Sequence, residues 1–515
     1  MSTHTSLFAA LEAQIARMPE SFALSEGKET FTYQQLGSCI HLLQNFLRQF
    51  GCAPLEKIAW AELRGKTFIS LSYAITDLGA IAVPLNPHAS VEEWNACCHQ
   101  CDVTVLLVAP ALVAKATALF ELNQHLRYVG IVDWQGQQPV LRSLQQRAKL
   151  PITGASQPGD AFILCTSGTT GRPKGVVLTH VNLLVNQEAV AQCQSLSHAD
   201  VMLVLKPYFH SSTIMEMLLL LQAGGHVIVG RRFLPRAVPA WIEETATTLL
   251  CLVPTMVYDL LAELERQKRV IRGKCIISIA AGAIEVDQVE ALRQFLPEAE
   301  IFYGYGLTEA SPRVSTLLPS EWSSHARSSG RAIPGMRIAI WDAAGREIAP
   351  GTIGEVVVTG PSVMRCYYND PALTQQRLQH GWLRTHDLGW LDEAGYLYIY
   401  GREDEMINCG GQKVAPQEIE QVLSLHPAVQ ETAVCAYPDQ RLGQIPVAFL
   451  IKKENLASEK PSADEIIQFC RRYLSPFKVP RHIHWLQNLP RTASGKVRRR
   501  ALVELYGEEM SYETR

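Results

Sequence analysis

The chain alternates short apolar runs with longer stretches in which apolar residues recur at helical spacing. Ile58 to Trp60, Ile81 to Val83, Val103 to Val108, Phe162 to Cys165, Met202 to Leu205, Val227 to Val229, Leu249 to Val253 and Cys275 to Ala281 read as strands. Between them, Leu42, Leu43, Phe46 and Leu47, the stretch through Leu71 and Tyr73, and Ile214 to Leu221 read as helices. Strands that are apolar throughout rather than alternating predict a parallel sheet covered by helices. Leu7, Phe8, Leu11 and Ile15 give the first segment one apolar helical face. From about Gly330 the texture becomes short β-rich pieces, Arg337 to Trp341 and Gly354 to Thr359, punctuated by Pro and Gly. Beyond Gly401, helices near Gln417 to Leu425 and Ala463 to Tyr473 alternate with strands. The pattern predicts an α/β protein with a large N-terminal domain of α/β subdomains plus a β-rich subdomain, and a small α+β C-terminal domain. The Pro-, Gly- and Ser-rich tract from Leu150 to Gly159 is expected to mark a meeting of subdomains.

With 515 residues the chain exceeds a single modest core and is expected to form two or more domains. Its net charge of −3 carries no basic bias, which argues against nucleic acid as a partner. The run Met217 to Leu221 is broken by Gln222, Gly224, Gly225 and His226, well short of the ~20 apolar residues of a membrane span. The opening segment lacks a basic region before an apolar one, so no signal peptide is expected and a cytoplasmic location is. Thirteen cysteines, an odd number, predict reduced thiols rather than a disulfide framework. Cys98 and Cys101 form a CxxC, but no second pair follows at zinc spacing, and Trp94, Cys97, Cys98 and Cys101 repeat as a core helix face would.

Candidate chemistry begins at Thr166 to Gly175, TSGTTGRPKG, between one apolar run ending at Cys165 and another starting at Val176. Gly168, Gly171 and Gly175 let backbone N–H groups approach an anion, Ser167, Thr169 and Thr170 add hydroxyls, and Lys174 adds a positive charge. Pro173 and Gly175 flank Lys174 where a P-loop needs Gly and Ser or Thr, so this is not a Walker A motif. Alone, the loop fits a solvated turn as well as a phosphate cradle. A second stretch, Tyr303 to Glu309, follows Ala280 to Ile284; both fall at expected strand ends, where α/β sheets bind ligands. Three more are Gly381 to Gly389 with Tyr396 to Arg402, Asn408 to Glu420, and Pro490 to Lys496.

Taken together, the five stretches resemble, in order and approximate spacing, those of the AMP-forming adenylating superfamily of acyl-CoA synthetases, nonribosomal adenylation domains and firefly-type luciferases. The resemblance runs from about Phe31 to Arg500 and is nearest to acyl- or aryl-CoA ligases. It implies ATP, Mg²⁺ and CoA as cofactors and a small-molecule carboxylic acid as substrate. It places Thr166, Ser167, Gly168, Thr169, Thr170, Gly171 and Lys174 on the β- and γ-phosphates of ATP. It sets Tyr305, between Gly304 and Gly306, against adenine beside Gly282 and Ala283, Thr308 on the α-phosphate and Glu309 on the metal. Asp387 and Arg402 would hold the ribose, and Lys496 would be the adenylation lysine. Asp404 matches the hinge, making Met1 to Glu403 the large domain and Asp404 to Arg515 the mobile one. Gly410 and Gly411, after Cys409, would line a pantetheine tunnel once the small domain has rotated, with Phe477, Lys478 and Arg481 toward the CoA nucleotide.

His210, in Phe209-His-Ser-Ser212, stands where amino-acid-activating members carry an aspartate. An imidazole supplies no fixed negative charge for an α-ammonium, which favours a plain carboxylic acid, and the resemblance places His210 beside its carboxylate. Ile214, Met215 and Met217 suit an alkyl or aryl body. The expected activity is formation of acyl-AMP with release of pyrophosphate, then thioester formation with CoA. Two alternatives stay open: loading the acid onto a carrier-protein phosphopantetheine, and an inactive nucleotide-binding scaffold.

Overall fold

The computed structural model describes residues 5–62, 64–148, 154–167, 173–453, 460–491 and 497–513. The chain divides into two compact units: Met1–Ile338 with Val358–Leu383, and Ala339–Val357 with Arg384–Arg515.

Among the described residues the first unit holds two large mixed sheets and a small two-stranded one, Ser315–Thr316 with Arg331–Ala332. The seven-stranded sheet runs in the order Ala299–Gly304, Cys275–Ala280, Leu249–Leu252, Val201–Leu203, His226–Val229, Phe22–Glu26, Glu29–Thr32, parallel throughout except at its last pair. The eight-stranded sheet has a parallel centre, Asp160–Ser167, Ile81–Pro84, Lys57–Ala61, Val105–Val108 and Tyr128–Gln135, with antiparallel strands at both edges. The all-apolar runs become these central strands; Leu249–Leu252 and Val105–Val108 are buried at every residue. Several helices start where the chain supplies a hydroxyl cap. Thr179 accepts from Asn182 N at the head of His180–Gln194, and Thr32 accepts from Gln35 N at the head of Tyr33–Gln49.

The described residues of the tract before Gly159 lie in the first unit and lead into the strand Asp160–Ser167, whose Asp160 is held by Arg365 at 2.7 Å. One expectation is corrected here. The cysteines are not all free thiols, because Cys97 is joined to Cys165 in a disulfide with a Cα–Cα distance of 6.4 Å. Cys97 lies on the helix Val91–Gln100 and its partner is 68 residues away on a strand, so no local spacing marked the pair. The core-face reading of that helix holds: Trp94, Cys98 and Cys101 are buried in one apolar cluster, and burial pushes the Cys98 thiol up to about 12.

The strand Trp382–Leu391 pairs antiparallel with Leu397–Arg402 of the second unit, as the β-rich texture predicts. A five-stranded sheet follows, ordered Gln412–Val414, Ile407–Cys409, Gly443–Lys452, Val429–Asp439, with His482–Leu486 parallel to Gly443–Lys452. Its strands bury both faces by alternation. Val434, Ala448 and Leu450 pack with Ile419, Leu423 and Ile466 of the helices Pro416–Ser424 and Ala463–Arg471. Their neighbours Ala433, Cys435, Val447 and Phe449 pack with Leu502 and Tyr506 of Arg499–Glu513. Among the described residues no helix is long and apolar enough to cross a membrane.

A buried ion pair ties the eight-stranded sheet together. Arg127 meets both Glu56 oxygens, at 2.6 and 2.9 Å, Thr104 adds a hydroxyl at 2.7 Å, and both charged side chains are at most 3% exposed. Burial alone would raise the Glu56 pKa, but the bonds from Arg127 and Thr104 outweigh it and hold it below the usual value. Glu56→Gln strands the guanidinium and should lower the unfolding free energy by about 3–5 kcal/mol in urea titration at pH 7. A depressed carboxylate pKa contributes stability above the unfolded value near ~4.3, lost as pH falls through the folded one. The gap between wild type and variant should therefore close below about pH 4; a gap that persists unchanged at pH 3 contradicts the assignment.

Candidate active site

The parallel register that sets Ala280 opposite Gly304 brings two strand ends together, and the loops that follow carry most of the motif residues. Gly282 and Ala283 are exposed just beyond Ala281, which adopts a φ of 72°. Tyr303 Oη donates to the Gly282 carbonyl at 3.1 Å and ties the first loop to the second. Past Gly304 the Tyr305 carbonyl accepts from Val314 N and Ser315 N, at 3.0 and 3.1 Å. That return leaves the Tyr305 side chain half-buried and Gly306 exposed. Thr308 and Glu309 sit in the short 3₁₀ turn Thr308–Ala310.

The helix Ser211–Ala223 points its first turn at this place. His210 precedes it in extended conformation, its ring 4.5 Å from that of Phe209, and Ser211 Oγ lies 3.1 Å from Thr308 Oγ1. The loop that bears His210 is thus tied to the turn that bears Thr308. Glu309 is oriented from a third element: Tyr367 Oη donates to Glu309 Oε1 at 2.7 Å, and Met364 N to the Glu309 carbonyl at 2.8 Å. Tyr367 pairs with Val176, in the strand Pro173–Thr179 that leaves the TSGTTGRPKG loop. That loop joins antiparallel strands with Thr166 opposite Lys174, while Gly168, Thr169, Thr170, Gly171 and the Ser167 side chain lie outside the described residues.

In the second unit Asp387 and Arg402 face each other across the strand pair, with Arg402 Nη1 3.3 Å from Asp387 Oδ1 and Arg402 Nε 3.0 Å from Asp404 Oδ1. Burial opposes the charge of Arg402, but Asp387, Asp404 and Glu405 outweigh it and hold its pKa above the ordinary value. Gly410 and Gly411 form the two-residue turn of the hairpin Ile407–Cys409/Gln412–Val414, with φ of 61° and 86°. Positive φ at both positions is the geometry that glycine supplies to such hairpins. Phe477 packs on the apolar cluster under this sheet and Lys478 is ion-paired with Glu418. Lys496 lies outside the described residues; Arg491 and Val497 on either side form an antiparallel bridge.

Two other groupings bring possible metal ligands within 4.8 Å, Cys97/Cys101/Cys165 and Glu355/His386/Glu403. Cys97 and Cys165 are bonded to each other, and Glu355 is already taken up by the Arg384 guanidinium and His386 N.

Sequence reasoning missed Ser211, Tyr367 and Asn186, whose buried amide holds the Ala310 and Arg313 carbonyls at 3.2 and 2.7 Å. A serine at a helix start and a tyrosine in an apolar run are unremarked locally. Asn186 is one of several buried polar residues on its helix, and its contacts come only with the fold.

Parallel strand ends carrying nucleotide-type loops, followed by a small α+β unit, define an adenylate-forming class of enzyme. The model of the AMP-binding enzyme family matches residues 11–368, and that of the AMP-binding enzyme C-terminal domain matches residues 418–496. The chain is 30% identical to an indoleacetate–CoA ligase of Aromatoleum aromaticum over 93% of its length and 94% of the relative's. It is 30% identical to a feruloyl-CoA synthase of an Amycolatopsis species, over 94% and 95%. An O-succinylbenzoate coenzyme A synthetase of Bacillus subtilis, solved with ATP and magnesium ion, superposes with a TM-score of 0.83 at 28% identity, over 96% of this chain and 98% of that one. The chain belongs to the AMP-binding enzyme family. Its activity is that of an AMP-forming acid:CoA ligase using ATP, Mg²⁺ and CoA.

Tyr367→Phe removes one hydrogen bond to a carboxylate while keeping the ring. If Glu309 serves the metal, the loss of about 1.5–3 kcal/mol of orientation should raise the Mg²⁺ concentration for half-maximal pyrophosphate release roughly 10-fold. An unchanged Mg²⁺ dependence would remove Tyr367 from the site.

Proposed function

We propose that this chain activates an aryl- or alkyl-bearing carboxylic acid that lacks an α-ammonium group, with the motif residues in the roles their positions suit. The carboxylate oxygen attacks the α-phosphorus of ATP, the bond to the β-phosphate breaks, and pyrophosphate leaves. The CoA thiol then attacks the acyl carbonyl and gives up its proton, and AMP departs with the former carboxylate oxygen. The observation that carries this reading is the 3.1 Å contact of Ser211 with Thr308, which joins the acid-side loop to the phosphate-side turn.

His210 and Thr308 hold the acid carboxylate and the α-phosphate, and Glu309, a hard oxygen donor, holds the metal. A divalent ion there would neutralise phosphate charge as the two anions meet. Thr166, Ser167, Gly168, Thr169, Thr170, Gly171 and Lys174 clamp the departing pyrophosphate. Gly282, Ala283, Gly304, Tyr305 and Gly306 form the adenine slot. Asp387 accepts from the ribose hydroxyls, and Arg402, 3.3 Å away, stands beside that carboxylate. Lys496 approaches the α-phosphate from the C-terminal domain during adenylation, and Gly410 and Gly411 face pantetheine afterwards. The exchange pivots on Asp404, so Met1 to Glu403 moves as the large domain and Asp404 to Arg515 as the mobile one. Asp404 falls between the two family matches, which end at 368 and resume at 418, and it lies in the short turn Glu403–Glu405. The relatives act on indoleacetate, ferulate and succinylbenzoate by name, which supports an aromatic acid body against Ile214, Met215 and Met217. An enzyme that consumes ATP and CoA works where both are held, in the cytoplasm.

Pyrophosphate release measured across aryl, aliphatic and α-amino acids tests the acid class: aryl acids should lead and α-amino acids should give background, and the reverse order sinks the reading. Replacing CoA by a holo carrier protein tests the acceptor. Acylation of the carrier alone would exclude CoA. Lys496→Ala should abolish acyl-AMP formation, a loss on the order of 10² or more for one transition-state cation, and spare thioester formation from supplied acyl-adenylate. Asp404→Pro should do the opposite. Equal loss of both half-reactions in either variant contradicts the two-conformation cycle.

A further inference from the structure

Arg313 follows the Thr308–Ala310 turn and folds beneath it. It is 8% exposed; Nη2 donates to Ser278 Oγ at 3.0 Å, while Nη1 is buried without a hydrogen-bond partner. Ser278 Oγ also accepts from Gln194 Nε2 at 3.0 Å. The side chain fits there because residue 304 is glycine: a Cβ at that position would overlap Arg313 Nη1 and the Ser315 carbonyl. Arg313 Nη1 therefore lies against the last residue of the strand that opens into the candidate site.

Its charge is not balanced locally. The carboxylate that acts most on Arg313 is Glu216, and Glu216 is engaged by Lys206 at 2.8 Å, both of these largely buried. Two cations share one carboxylate in a dry region. A buried charge left without a counter-ion is among the costliest features a core can carry, and an apolar side chain of similar volume would serve packing better.

Two more buried polar atoms without partners lie on nearby helices, Gln187 Oε1 on His180–Gln194, the helix whose Gln194 reaches Ser278, and Thr213 Oγ1 on Ser211–Ala223. The two helices touch where Gln187 Nε2 meets Met215 Sδ at 3.8 Å. Native interiors leave few such atoms, and three from adjoining elements mark a place where a polar ligand group completes the set.

We propose that Arg313 anchors a second anionic group on the acid substrate, so that the enzyme takes dianionic acids, dicarboxylates foremost. One carboxylate meets His210 and Thr308 and is activated. The body follows Ile214 and Met215, and the distal carboxylate takes Arg313 Nη1, with Thr213 and Gln187 beside it. Glu216 and Lys206 balance each other, and the distal carboxylate balances Arg313. This inference rests on the adenylating reading above, with Arg313 a specificity residue that binds the end of the acid that does not react.

The test uses the full chain and pairs of acids matched in shape. In each pair one member carries a distal carboxylate and the other the primary amide in its place, across aryl acids and α,ω-diacids of increasing length. Pyrophosphate release gives kcat/KM, and calorimetry with a non-hydrolysable ATP analogue gives affinity. Wild type should prefer the diacid by on the order of 30-fold or more, as a desolvated charge pair does. Arg313→Met should abolish that preference mainly through KM, and Arg313→Lys should restore part of it. Equal use of both members by wild type overturns the inference, as does an Arg313→Met variant that slows both alike. Pyrophosphate release without a diacid preference leaves the adenylating reading standing and removes this one. A diacid preference in calorimetry without pyrophosphate release does the reverse.

Discussion

The parallel pairing of Cys275–Ala280 with Ala299–Gly304 is the constraint on which the candidate site depends. Parallel strands end on the same edge of a sheet, so two loops far apart in sequence leave the core side by side. Ala280 opposite Gly304 sets Gly282 and Ala283 next to Tyr305 and Gly306, and the Tyr303 hydroxyl fastens the first loop to the strand that bears the second. Everything further out is hung from this edge. Ser211 reaches Thr308 from a helix start, Tyr367 reaches Glu309 from a short edge strand, and Asn186 holds the chain that returns to Arg313.

The chemistry that such an edge must serve is electrostatic. A carboxylate is a poor electrophile because its leaving group would be oxide, and joining it to AMP supplies a stable one. The join requires two anions to touch, so cations and N–H groups must converge on the phosphates while the acid is held in line. Asp387, Arg402, Gly410 and Gly411 belong to the second unit. The turn at Gly410 and Gly411 is also demanded by the hairpin itself, whatever else it touches. Arg313 extends the same electrostatic logic inward, where an unbalanced cation fits an acid charged at both ends.

Much of the fold was legible because its strands announce themselves. The apolar runs at Leu249, Cys275 and Val105 became buried parallel strands, and one family-like loop follows the Cys275 strand. What escaped depended on contacts between distant residues. The Cys97–Cys165 disulfide joins a helix to a strand 68 residues on, and each cysteine looked like ordinary core by its neighbours. Tyr367 lies 58 residues from Glu309, and Arg313 reads in sequence as one more charged loop residue. Only its burial, the missing partner at Nη1 and the glycine at 304 give it meaning.

The most direct test is the fate of the nucleotide and the acid in one vessel. Rapid-quench product analysis with radiolabelled ATP and a substrate acid, without CoA, should show acyl-AMP and pyrophosphate formed in equal amounts. Addition of CoA should then convert the acyl-AMP to acyl-CoA with equimolar AMP. Formation of ADP and inorganic phosphate, or of AMP without any acid-dependent intermediate, would contradict the account.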